Sequence, residues 1–494
     1  MLGPAMYATL LQNMRLLVLS ILLVPASVFA FHPSKVPSWR TAPLQSSSPF
    51  LTTSTADNTV VAEQEAALFQ QLCQSAGVDG ELIRLEESPV DSVRGVYVNH
   101  NVEAEEVILA VPLSSCLRDD EPPVWMMDTA AAAESEETSY SPSDWATRLA
   151  ASLMDLQLSS VETDSLQSLW LSLLPDADLL RATLPVHWPE PVVQSARCTA
   201  LELAVDSAFF ARHQSIQDLM DGLERRRDGN GDSTEDTQRL CENALDVVQT
   251  RSCRVVLSKD IESWGQPVRL LAPVFDLINH GGKALANAQF SLENVETNDE
   301  EDASLQLVVR AVRDLAANEQ VLIDYGDSAR PAWKCLASYG FVPSFPQGGT
   351  AEHVEDDEEE HVAEVYIGGV RYEVGSTTIP EDMVASVASS TMEVKPSDLA
   401  DKAIDIQQPV ELTPDIAIGL ARRMSDVAFH LLLDTDGSNN AEGTLEDDES
   451  DESSLFSPQD IVSSKLAASL RWNQHHILLA CSMGLRDWAV GTDL

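Results

Sequence analysis

The chain has 494 residues and carries 79 Asp and Glu against 31 Lys and Arg, a formal net charge of −48. That balance repels phosphate backbones and excludes direct nucleic-acid binding through a basic face. With 44% hydrophobic and 22% charged residues the composition is globular, with room for roughly two to four structural units.

Leu16 to Phe29 is almost wholly apolar behind Arg15. It is too short to span a bilayer comfortably, so residues 1–30 read as a cleavable signal peptide, leaving no stable membrane anchor after processing. Residues 31–60 are rich in Ser, Thr and Pro, hold Lys35 and Arg40, and contain no acidic residue before Asp57; they read as a second, transit-like segment. Residues 63–77 have helical spacing at Leu68 and Leu72, and Leu82–Leu85, Val93–Val98 and Val107–Val111 predict short strands. At Trp145 the period changes. Trp145, Leu149, Leu153 and Leu156 share one helical face, and helices are expected to continue to about Arg254.

Strand signals return at Arg269–Ala272, Gln289–Leu292, Leu305–Val312 and Gln320–Tyr325, and a helix then carries Trp333 to Ala337 into Tyr339-Gly340-Phe341. Further on, Thr413 and Pro414 form an N-cap and first-turn pair for a helix striped by Ile416, Leu420, Met424, Val427 and Leu431. The fold class is therefore α+β: a β-rich domain over 63–345 split by a helical insert at about 140–254, followed by a mainly helical domain over 361–494.

Three acidic runs read as solvated loops: Glu293–Asp302, Glu352–Glu360 and Glu446–Glu452, the last inside a loop at 442–453. The seven cysteines are dispersed without a C-x-x-C pair, which argues against a disulfide framework or a cysteine zinc site, and no metal site is expected.

Two segments carry polar residues inside apolar strand-like runs. One is Pro273 to Gly282, where Asp276, Asn279 and His280 lead into glycines; the other is Glu319 to Gly326, holding Tyr325, followed by Tyr339-Gly340-Phe341. Upstream lie Arg94-Gly95-Val96-Tyr97 with Glu106 to Pro112, then Trp170 to Pro175 with Leu184 to Trp188, then Thr250-Arg251-Ser252. In this order the segments resemble the SET domain of the Rubisco large-subunit lysine methyltransferase type, including relatives that methylate histidine. Coverage runs from about Glu63 to Phe345, with a looser match in the C-terminal domain.

The resemblance implies a SET β-fold split by a helical insert, and a helical C-terminal domain that binds the protein substrate. It implies S-adenosyl-L-methionine as cofactor and methyl transfer to a protein lysine, with Rubisco large subunit or fructose-bisphosphate aldolase as substrates by analogy. Histidine methylation, or a non-catalytic protein-binding module, are the alternatives. Cofactor binding is implied for the backbone around Val93 and Arg94, and for Arg251, Asp276, Asn279, His280 and Tyr325. The resemblance also implies that Tyr325 lines the transfer channel and Tyr339 contacts the target, that Asp276 additionally faces the substrate side, and that Phe341 forms an apolar wall. Phe290 stands where the Rubisco enzyme has a further tyrosine, and Ala329 to Lys334 replaces the family's usual segment between the two tyrosines. Finally, Ala26-Ser27-Val28-Phe29-Ala30-Phe31 resembles the cleavage junction of bipartite plastid-targeting sequences in algae with red-algal secondary plastids. The implied destination is the plastid stroma, and the alternative is the secretory pathway.

Overall fold

The computed structural model describes residues 28–30, 55–88, 93–126, 144–159, 165–226, 234–257, 267–295, 304–326, 331–343, 361–391, 412–433 and 458–491. They divide between a larger body, from Ser38–Glu360 and Glu442–Asn473, and a smaller one, from Met1–Pro37, His361–Ala441 and Gln474–Leu494. β1 (Val28–Ala30) opens the described chain and belongs to the smaller body.

In the larger body, α1 (Thr55–Ala76) starts earlier than its apolar spacing predicts. It leads to a hairpin of β2 (Ile83–Glu87) and β3 (Arg94–Val98), whose register sets Ile83 opposite Val98 and Glu87 opposite Arg94. β4 (Val107–Pro112) and β5 (Leu117–Arg118) complete the first β-rich segment. Among the described residues six α-helices then interrupt it: α2 (Trp145–Leu158), α3 (Leu166–Leu173), α4 (Ala177–Thr183), α5 (Glu190–Ser195), α6 (Thr199–Arg226) and α7 (Thr234–Arg251). Short polar caps start the first of these. Asp144 accepts from the Thr147 amide at 2.8 Å, and Ser165 from the Ser168 amide at 3.2 Å, each satisfying a donor that the first helical turn leaves open. The helical run stops at Arg251, not Arg254, because Cys253, Val255 and Val256 already belong to a strand.

That strand, β6 (Cys253–Val256), is followed by β7 (Pro267–Leu271), β8 (Asn279–His280), α8 (Gly282–Leu285), β9 (Ala288–Val295), β10 (Ser304–Ala311), β11 (Leu322–Ile323) and α9 (Ala332–Tyr339). β10 is the centre of a sheet ordered β4-β10-β9, and β7 the centre of one ordered β5-β7-β6, so among the described residues β6 and β9 are both edge strands. The run expected as one strand over Gln320–Tyr325 is shorter: Gln320 forms an isolated bridge to Tyr97, the Val321 amide donates to the Val96 carbonyl at 2.8 Å, and Leu322–Ile323 pair with β8. Glu293, read from sequence as part of a solvated loop, lies in β9 and is gripped by Arg310 of the neighbouring β10 at 2.6 and 2.9 Å. The rest of that acidic run from residue 296, and both other runs, lie outside the described residues.

Strands and insert share one core. Phe69, Ile83, Leu109, Leu153, Trp170, Leu270 and Val309 are all buried within it, so the helices cover the sheets instead of forming a separate module. A second cluster joins Ala182, Trp188, Leu201 and Leu336 to Val462, Leu466 and Leu470. Those last three repeat every four residues along α12 (Pro458–Gly491), and this apolar stripe seats the helix's first half in the larger body. The C-terminal body is therefore not the uninterrupted 361–494 run expected from sequence.

Nor is it helical throughout. It opens with β12 (Ala363–Ile367) and β13 (Val370–Val374), joined through Gly368 and Gly369 at φ 60° and 83°. Two consecutive left-handed residues make the two-residue turn that matches strand twist, and Gly-Gly adopts it without Cβ cost. β14 (Thr378–Pro380) pairs antiparallel with β1; α10 (Glu381–Thr391), α11 (Pro414–Leu432) and the second half of α12 supply the helices. Thr413 caps α11 as expected, its hydroxyl accepting from the Ile416 amide at 3.4 Å.

The seven cysteines are free thiols, six of them buried. Among the described residues no helix is long and apolar enough to cross a membrane.

Candidate functional site

Leaving β7, the chain reverses at Val274, whose φ of 69° is unusual for a β-branched residue. The Phe275 amide reaches back to the Pro273 carbonyl at 2.8 Å, closing a γ-turn of the strained, positive-φ kind. This turn delivers Asp276 into the interior, where it is 6% exposed. Trp170, from α3 of the insert, donates its indole Nε1–H to Asp276 Oδ2 at 3.1 Å. Arg251, the last residue of α7, donates from Nη1 to the Asp276 carbonyl at 2.6 Å. Burial pushes the Asp276 carboxyl above its ordinary range, opposed by the Arg251 charge, the Trp170 hydrogen bond and Arg94. Burial pulls the Arg251 guanidinium down, opposed by Asp276. Two polar atoms stay without a partner here among the described residues, Asp276 Oδ1 and Arg251 Nε.

Arg94 ties three elements to this point. Its guanidinium pairs with Glu65 of α1 at 3.2 Å and donates to the Leu173 carbonyl of α3 at 2.8 Å, while its own carbonyl accepts from Asn279 Nδ2 at 2.8 Å. The neighbouring Val93 carbonyl accepts from the Ser88 amide at 2.9 Å and closes the β2–β3 connection.

β8 and β11 pair in parallel, Asn279 with Leu322 and His280 with Ile323, so the two polar-in-apolar segments lie side by side. The Tyr325 amide donates to His280 Nδ1 at 3.1 Å. That nitrogen therefore keeps its lone pair, and a neutral ring carries its proton on Nε2. The Tyr325 hydroxyl donates to the Ile278 carbonyl at 2.8 Å. Burial pushes its phenol far above the usual tyrosine range, which keeps the hydroxyl neutral.

The aromatic rings continue from there. His280 and Tyr325 centroids are 5.0 Å apart, Tyr325 and Tyr339 4.9 Å, Tyr339 and Phe341 6.3 Å, and His280 and Phe341 6.0 Å. Tyr339 closes α9 and Phe341 follows it, separated by Gly340 as a left-handed C-cap at φ 78°. Arg94, Arg251, Asp276, Asn279, His280, Tyr325, Tyr339 and Phe341 thus form one connected constellation. Phe290 joins it at one remove: its ring packs edge-on against Phe275 at 5.0 Å. It also lines a cavity of about 250 Å³ between β6 and β9, with Arg254, Val255 and Leu292 among its walls.

No family model and no curated protein sequence matches this chain. The chain is similar to the solved SET domain of LSMT bound to lysine and AdoHcy, at 12% identity and a TM-score of 0.46 over 84% of this chain and 90% of that one. It is also similar to Rubisco LSMT bound to sinefungin and monomethyllysine, at 13% and 0.47 over 87% and 92%. A third similar structure is Rubisco LSMT bound to AdoMet, at 13% and 0.46 over 87% and 93%.

Sequence reasoning missed two residues that hold the constellation. Trp170 stood out only as the start of a segment that carries the resemblance, with no site role, and nothing local links it to Asp276. Asn287 is buried and staples β11 in place: its Oδ1 accepts from the Leu322 amide at 2.8 Å, and its Nδ2 donates to the Gln320 carbonyl at 2.8 Å. A lone Asn between Ala286 and Ala288, just ahead of a strand, was the available signal. Among the described residues no group of three or more His, Cys, Asp or Glu side chains is placed to hold a metal ion.

Proposed function

We propose that this chain is a SET-type protein methyltransferase that moves a methyl group from S-adenosylmethionine to the side-chain nitrogen of a lysine on another protein. One observation carries the reading: the β8–β11 pairing joins the buried Asp276 with its partner Arg251, and Asn279 with its partner Arg94, to the ring cluster of His280, Tyr325, Tyr339 and Phe341.

The cofactor fits the residues present. An orphaned carboxylate oxygen on Asp276 beside an orphaned N–H on Arg251 is what an amino-acid zwitterion satisfies, its ammonium meeting the acid and its carboxylate the base. Asn279 and His280 add amide and imidazole groups that recognise polar ring edges without bringing a full charge. When bound, S-adenosylmethionine supplies an electrophilic methyl group on a sulfonium sulfur.

The chain's own residues do the remaining work. The rings of Tyr325, Tyr339 and Phe341 offer π faces to an incoming ammonium and exclude water from its path. Deprotonating a lysine of ordinary pKa near 10.4 costs about 3 kcal/mol at a pH of about 8, and a drier surrounding lowers that cost by disfavouring the charged form. The Tyr325 hydroxyl, fixed on the Ile278 carbonyl, orients the nitrogen that remains.

The test is incubation of the full chain with methyl-labelled cofactor and plastid extract, followed by mass spectrometry of the labelled residue. Label on lysine supports the reading, and label on histidine replaces the target. Calorimetric cofactor binding without any transfer would instead favour a non-catalytic protein-binding module.

For the destination we propose the plastid, with Rubisco large subunit or aldolase as substrates by family analogy. The support is residues 1–60, which lie outside the described residues apart from β1 and the start of α1. β1 itself pairs with β14, a pairing that a chain cleaved ahead of Phe31 would not keep. Fusion of residues 1–60 to a fluorescent protein tests the destination, and signal confined to endomembranes or medium would sink it.

A further inference from the structure

The β6–β7 register sets Arg254 directly opposite Arg269. Like charges at directly opposed positions repel, and a chain with 79 acidic residues has ample means to neutralise them. Among the described residues neither guanidinium has an ion pair. The nearby Asp119 is already engaged: its Oδ1 accepts from the Arg269 main-chain amide at 2.7 Å, and its Oδ2 is held by Arg148 at 2.6 Å. Arg269 lies over the Trp145 ring at 4.6 Å, a cation–π contact that holds its guanidinium beside β7. It sits within electrostatic reach of the Tyr339 phenol and of Arg254. Arg254 is exposed and lines the cavity that also holds Phe290.

We infer that Arg254 and Arg269 determine substrate specificity, together taking the carboxylate of an Asp or Glu that flanks the target residue in the protein substrate. This rests on the methyltransferase reading and narrows its substrate class. A carboxylate between the two guanidiniums relieves their repulsion and forms charge-assisted hydrogen bonds. The planar fork of an arginine can make such bonds in pairs. Among the described residues β6 pairs only with β7, so its other side is unpaired and borders the cavity shared with β9, where an extended segment of the partner can lie.

The test uses fluorescent lysine-centred peptides bearing Glu, Gln or Lys at one flanking position, scanned along the peptide. Binding to the full chain is read by anisotropy and transfer by labelled cofactor. At one flanking position the Glu peptide is expected to bind about tenfold more tightly than the Gln peptide, with the Lys peptide weakest. Arg254→Glu, an exposed change, should reverse that order, and Arg254→Gln should level it. Arg269→Lys, which keeps the charge and loses the fork, should retain a smaller preference for Glu. Equal binding of the three peptides, or a Glu preference untouched by Arg254→Glu, overturns the inference. Binding that depends on Arg254 without any methyl transfer sinks the methyltransferase reading and leaves the carboxylate site standing. Transfer with no carboxylate preference does the opposite.

Discussion

Trp170 Nε1 and Asp276 Oδ2 lie 3.1 Å apart across 106 residues of chain, in the interior, where the tryptophan is 2% exposed. The bond makes the helical insert a direct support of the strand end that carries Asn279 and His280. It also stabilises the ionised carboxylate, against burial that favours the protonated form.

Trp170→Phe keeps most of the packing and removes that donor. A loss of roughly 1–3 kcal/mol is expected near neutral pH, since a buried carboxylate oxygen loses its partner. The pH dependence follows from the direction of the shift. Because the folded-state pKa of Asp276 lies above its unfolded value, the folded chain binds the proton more tightly, and this group's contribution falls as pH rises through that window. Removing the Trp170 donor raises the folded value further, so the deficit should shrink at acid pH, where Asp276 is protonated in both proteins. Urea titrations at neutral and acid pH read this; a pH-independent deficit would trace the loss to packing alone.

Arg251→Met should cost about 3 kcal/mol or more, because it leaves the buried Asp276 charge without its nearest neutralising group. Adding Asp276→Asn should recover part of that loss in a double-mutant cycle, since a neutral amide no longer needs the guanidinium. Strict additivity of the two changes in chemical denaturation would refute the coupling.

Tyr325→Phe removes the hydroxyl bonded to the Ile278 carbonyl while its main-chain amide still holds His280 Nδ1. Turnover should drop by roughly 10- to 100-fold, in line with loss of a positioned polar group. Cofactor affinity measured by calorimetry should change little, and unchanged turnover would remove Tyr325 from the transfer site.

Gly340→Ala places a Cβ on a residue at φ 78°, 2.8 Å from Thr183 Oγ1 and 2.9 Å from Thr183 Cβ. Thr183 is not free to swing, because its hydroxyl donates to the Leu179 carbonyl at 3.0 Å. The left-handed backbone and the overlap together should cost about 2 kcal/mol or more. Tyr339 and Phe341 flank the change, so transfer should suffer more than cofactor binding. A variant with wild-type thermal stability and turnover would show that the α9 cap does not position the two rings.

Much of this architecture was legible beforehand wherever one side chain repeats at a fixed interval. The α2 face with Leu149 and Leu153, and the Thr413–Pro414 start of α11, needed only local periodicity and capping chemistry. The polar residues Asp276, Asn279 and His280 stood out because each interrupts an apolar run. The smaller body's hairpin was legible too, through Gly368–Gly369 between alternating residues, and was overlooked beside the stronger helical stripe further on. The division of α12 between the two bodies is not legible in the sequence, because an apolar stripe says that a helix is buried and not against what.

By itself, then, the order of residues determined the α+β alternation, the insert's helices and the polar groups available for chemistry, since these depend on neighbours within a few positions. Which groups meet was decided by tertiary structure alone. Parallel pairing of two-residue strands, the Trp170–Asp276 bond and the Arg254–Arg269 juxtaposition join residues many positions apart. Such contacts form only once a shared core has fixed the strands, and a buried charge takes its character from whatever that core brings beside it.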